Sequence, residues 1–130
     1  MSATDLVSLL SSLRAEVESR IIEEISGPLN AGKRFIYDTV TPIRLNITGD
    51  SQKCNLEFLS GGIVRLSVGL VANPDVSVTG DSASLAHVIL RRSKHAFEDA
   101  ERNGKIVAIS HTWKGEQMMR RVRELLSSTR

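Results

Sequence analysis

The chain has 130 residues, a formal charge of +2 at neutral pH and 41% apolar residues, with aromatics only 4% of the chain. That length suits one domain with a core of valine, isoleucine and leucine. So small a charge argues against a dedicated nucleic-acid binder, a single cysteine excludes an internal disulfide, and no apolar run approaches the roughly 20 residues that cross a bilayer.

Ser2 or Thr4 can cap a leading helix over residues 4–25. Leu6, Leu10, Leu13, Val17 and Ile21 recur at three- and four-residue steps and form one apolar stripe. Ser26-Gly27-Pro28 stops it. Residues 30–38 read as a loop followed by either an edge strand or a helical turn. Pro42 opens a strand with Ile43, Leu45 and Ile47 inward and Arg44, Asn46 and Thr48 toward water. Gly49 to Gln52 is a hairpin turn, and Cys54, Leu56 and Phe58 form the next inward set. After Gly61-Gly62 a third strand alternates, with Val64, Leu66, Val68 and Leu70 inward. Asn73-Pro74-Asp75 turns into a short strand with Val76 and Val78 inward. Short turns between four successive strands predict an antiparallel meander.

Asp81 can cap a helix to about Arg92, where Leu85, Val88 and Ile89 share a face. A short helix opens near Ser93 and ends at Asn103-Gly104. Lys105 to Ser110 is apolar on both faces and reads as a fifth strand in the middle of the sheet. His111 to Gly115 reads as a loop. The last helix carries Met118, Met119, Val122, Leu125 and Leu126 on one face and Arg120, Arg121, Arg123 and Glu124 opposite. The predicted fold is therefore α+β, one five-stranded, largely antiparallel sheet with helices packed on one face, in one domain spanning residues 1–130.

Charge is uneven along the chain. Residues 1–32 hold two arginines against five acids, a net of −3, and the tail from Arg91 is basic. Two solvated helix faces account for this. Cys54 reads as a buried, inert thiol and fits a reducing compartment. Acids and arginines interrupt the N-terminal leucines, so the start is not a signal peptide, and a cytoplasmic protein is expected.

The order of these elements resembles the sterol carrier protein type 2 family. The residues that carry it are Pro74-Asp75-Val76-Ser77-Val78-Thr79-Gly80-Asp81 leading into a helix with Leu85, then Ala96-Phe97, then Gly104-Lys105-Ile106 before an amphipathic end helix. The resemblance covers roughly residues 35–126. Arg91-Arg92-Ser93-Lys94 stands where the family usually has a Gly-Lys-Leu-x-Pro connection, and the stretch from Phe97 to Gly104 is longer than usual. The resemblance implies a binding domain for sterols, fatty acyl chains or other apolar molecules held between sheet and helices, without catalytic residues of its own.

Candidate lining residues for such a ligand are Leu85, Ile89, Phe97, Met118, Met119 and Val122. Methionines adapt to varied shapes, although they equally fill cores. Trp113 either covers the cavity mouth or only packs. Arg120, Arg121 and Arg123 can touch an anionic membrane surface, or form a solvated helix face. His87, His95 and His111 have no Cys or carboxylate at zinc-ligand spacing, so no metal is expected. No Gly-x-Ser-x-Gly is present, and Ala31-Gly32-Lys33 lacks the pattern of a phosphate loop. No enzyme activity and no cofactor are expected. Alternatively the chain is a protein–protein interaction or dimerisation module with a closed core and no ligand.

Overall fold

The computed structural model describes residues 6–127. Its elements are α1 (Leu6–Ile25), a 3-10 turn (Pro28–Asn30), α2 (Ala31–Val40), β1 (Ile43–Gly49), β2 (Gln52–Phe58), a second 3-10 turn (Ser60–Gly62), β3 (Val64–Val68), β4 (Val76–Gly80), α3 (Ser82–Arg91), α4 (Lys94–Arg102), β5 (Ile106–Ser110) and α5 (Trp113–Ser127). The predicted caps at Ser2 and Thr4 lie outside the described residues.

The five strands form one sheet in the order β3-β2-β1-β4-β5. Three pairings are antiparallel, and β1 with β4 is parallel, Leu45 lying opposite Val76 and Ile47 opposite Val78. The sheet is thus mixed, and the expected meander breaks between β3 and β4. Two buried side-chain amides hold the break in place. Asn46 and Asn55 face each other on β1 and β2. The Asn55 side chain donates to the Gly69 carbonyl at 2.9 Å, and Asn46 donates to the Val71 carbonyl and accepts from the Val71 N–H. The segment after β3 is therefore tied across the face of β2 and β1 and enters the sheet beyond them. Asn46, expected toward water, is buried beneath it.

The same insertion moves β5. It was expected in the middle of the sheet; it pairs only with β4 and forms an edge, with Val107 and Ile109 half exposed. Val68 and Leu70, expected inward, are exposed, Val68 by 80%. β3 is the other edge, and α1 covers only its start, where Val64 is buried.

All helices lie on one face. The stripe of α1 is buried as its periodicity predicts, with Leu6, Leu10, Val17 and Ile21 in the core and Leu13 beside them. Burying each such side chain is worth roughly 1.5–3 kcal/mol. Asp81 caps α3 by accepting from the Ser84 N–H at 2.9 Å, and Ser93 caps α4 through the Ala96 N–H. Residues 30–38, ambiguous in sequence, are helical in α2, none of whose residues is buried. The expected loop at His111 to Gly115 is short, because Thr112 accepts from the Gly115 N–H and starts α5 at Trp113.

Candidate ligand-binding cavity

Where α1, α3, α4 and α5 cover the sheet, they leave a cavity of about 90 Å³. The sheet supplies its floor with Leu45, Ile47, Leu56, Phe58 and Val78, residues that alternate toward the helices along β1, β2 and β4. Leu10, Leu13 and Val17 of α1 form one wall, and Leu85, Val88 and Ile89 of α3 another. Phe97 of α4 and Met119 and Val122 of α5 close it. One charged side chain, Arg14, reaches the lining, and it donates to the Val64 carbonyl at 2.9 Å and to Glu18 at 3.2 Å. Glu18 in turn accepts from the Val64 N–H. The pair ties α1 to the start of β3; the other described residues that line the cavity are apolar.

Of the seven residues singled out in the sequence, Leu85, Ile89, Phe97, Met119 and Val122 meet at this cavity. Met118 and Trp113 do not. They line a separate groove of about 350 Å³ between the end of α1, α2 and the start of α5, together with Ile21, Ile25, Ile36, Tyr37 and Ile43. Consecutive residues on a helix point about 100° apart, so Met118 and Met119 serve different spaces. Trp113 is 70% exposed at the groove's rim. The contributions of α1, β1 and β2 to the cavity, and that of Arg14, went unassigned in the sequence. The apolar stripe of α1 was legible, but periodicity does not say which surface a stripe faces.

The basic side chains of α5 are largely engaged. Arg121 pairs with Glu24 and Glu124, and Arg123 pairs with Glu101 at 3.0 Å while its guanidinium lies 4.8 Å from the Phe97 ring centre. Arg120 is exposed, with Glu116 at 3.9 Å. Beside the groove, the Tyr37 hydroxyl is buried with no hydrogen-bond partner among the described residues. Burial first, then the nearby Asp38 and Glu18 carboxylates, push its titration well above the ordinary tyrosine range. The Cys54 thiol, buried on β2, is likewise pushed up by burial. Among the described residues no three His, Cys, Asp or Glu side chains gather to hold a metal, and no helix is long and apolar enough to cross a membrane.

This arrangement is a sterol carrier protein type 2 fold. Palmitated SCP2L2 from Aedes aegypti superimposes with a TM-score of 0.56 at 18% identity, over 93% of both chains. A UbiJ-SCP2 ubiquinone synthesis protein superimposes with a TM-score of 0.54 at 14% identity, over 91% of this chain and 98% of the other. The sec-alkylsulfatase Pisa1 from Pseudomonas sp. matches at 0.51 and 21% identity, over 68% of this chain but only 13% of its own length. At these identities the likeness is one of fold. No protein-family model matches the sequence, and no curated protein matches it.

Proposed function

We propose that this chain is a non-catalytic binding or carrier module for a lipid or other apolar small molecule, held between the sheet and the helices. The observation that carries this reading is the apolar cavity closed by Met119 and Val122 beneath α5. At about 90 Å³ it is smaller than the roughly 300–1,000 Å³ of sites that enclose drug-sized ligands, so an acyl chain enters by displacing packing around it. Met119 is the side chain suited to that movement, being unbranched and adaptable. Leu85, Ile89 and Phe97 complete the lining in this reading. The palmitated state of the Aedes protein supports the choice of ligand class. The driving force is burial of apolar surface, roughly 25 cal/mol per Å² before the costs of association. This reading needs no cofactor and no reacting group, and it places the protein in the cytoplasm, where Cys54 stays a free thiol.

Native mass spectrometry of protein purified from cells, followed by lipid extraction, tests it. The expected result is a co-purifying apolar molecule that a fluorescent fatty acid displaces. If nothing co-purifies and no member of a broad lipid panel competes with the probe, the carrier reading fails.

The small volume of the cavity favours a second reading, a closed core whose chain works by contact with another protein or with its own copy. Light scattering separates the two: a dimer burying more than about 1,000 Å² without ligand favours this one.

A further inference from the structure

The groove between α1, α2 and α5 has an unusual rim. Phe35 and Ile36 of α2 are 72% and 64% exposed, and Trp113 across the groove is 70% exposed. Lys33 and Arg34 stand on the same helix turn, and Lys114 follows Trp113; Arg34 and Lys114 donate only to neutral backbone carbonyls, of Ile25 at 3.4 Å and of Pro42 at 2.9 Å, so their charges are not neutralised by those contacts. Lys33, Lys114, Ile36 and Trp113 all line the groove. No residue of α2 is fully buried; Tyr37 and Val40 pack against the core, whereas Phe35 and Ile36 stay largely exposed and the core does not account for them. Leu29, on the turn leading into α2, is also exposed.

We propose that this surface, Phe35, Ile36 and Trp113 with Lys33, Arg34 and Lys114, docks on an anionic lipid bilayer. Aromatic and branched apolar side chains enter the headgroup boundary, and lysine and arginine beside them meet lipid phosphates. Charge complementarity favours a bilayer over a protein partner. Protein interfaces are depleted in lysine, whereas here one lysine stands on each side of the groove, Lys33 on α2 and Lys114 on α5, and the one acid in the lining, Glu24, is paired with Arg121. Of the α5 arginines first considered for membrane contact, Arg121 and Arg123 pair with Glu24 and Glu101, while Arg120 stays exposed with Glu116 at 3.9 Å. Docked this way, the groove opens toward the lipid. The proposal does not rest on the carrier reading, because vesicle binding needs no cargo in the inner cavity.

Trp113 is the only tryptophan in the chain, so its emission reports on this surface directly. Mixed phosphatidylcholine and phosphatidylglycerol vesicles at low salt should shift the emission to shorter wavelength and carry the protein down on sedimentation. Vesicles of phosphatidylcholine alone should bind about tenfold more weakly, and added salt should release the protein. Phe35→Asp changes a largely exposed side chain, so circular dichroism and melting should stay as in the parent while vesicle binding falls about tenfold. Three results would each overturn the proposal. They are no binding to anionic vesicles at low salt, undiminished binding by Phe35→Asp, or an emission shift that follows protein concentration without vesicles and so assigns the surface to a second copy.

Discussion

Asp75 shows how much one side chain can hold. Its carboxylate accepts from the Arg44 N–H at 2.9 Å and from the Thr112 hydroxyl at 2.7 Å. Its own backbone bonds both ways, to the Arg44 carbonyl and from the His111 N–H. One buried residue thereby joins β1, β4, the end of β5 and the start of α5. Asp75→Ala leaves two donors without acceptors and is expected to cost about 3 kcal/mol. A lower urea midpoint at unchanged slope would show it. Tyr37 behaves in the opposite way. Its hydroxyl is buried without a partner among the described residues, so Tyr37→Phe should be neutral or stabilising by up to about 1 kcal/mol. Because the folded state raises its titration above that of an unfolded tyrosine, its contribution is fully present below about pH 10 and is lost as pH rises beyond it. Tyr37→Phe should therefore flatten the alkaline limb of the stability profile. Ultraviolet titration of this sole tyrosine reads the shift directly.

Among the elements, α5 depends on a close approach. A Cβ on Gly115 would strike the backbone carbonyl of Asp75, which cannot swing aside as a side chain would. Gly115→Ala improves helix propensity by about 1 kcal/mol yet should destabilise the fold by about 2 kcal/mol overall, since overpacking against backbone outweighs propensity. Thermal melting checks this, and a rise in melting temperature would show that α5 has room to move. The crossing segment between β3 and β4 is a second such element. Asn46 and Asn55 replace the solvation its backbone would otherwise seek, which is why two buried amides sit on the otherwise open face of the sheet.

For the whole molecule the question is whether the space between the layers is used. Val122→Phe places a larger side chain in the lining of the cavity, beside Met119 on α5 and in a lining shared with Phe97 of α4. If the cavity receives a ligand, this variant should fold with stability within about 1 kcal/mol of the parent and bind a fluorescent fatty acid at least about tenfold more weakly. Unchanged binding would move the ligand out of the cavity. The groove at the other end offers the larger volume, but α2 that walls it is the least buried helix, so the two spaces differ in rigidity as well as in lining.

Local chemistry determined much of this protein before any folding is considered. The stripe from Leu6 to Ile21, the alternation in β1 and β2, the caps at Asp81 and Ser93 and the stop at Gly27 follow from periodicity and from the needs of helix ends. Five of the seven candidate lining residues meet at one cavity because each sits at an apolar position of an amphipathic helix. Tertiary structure alone decided the rest. Asn73-Pro74-Asp75 reads as a turn whether the chain doubles back or crosses over, and contacts distant in sequence, from the amides of Asn46 and Asn55 and between Asp75 and Arg44, hold it across two strands. That crossing puts β4 beside β1 and sends the apolar β5 to an edge. Which face of α5 meets which space likewise depends on where α1 and α2 lie, so Met118 and Met119, neighbours in sequence, part company in the fold.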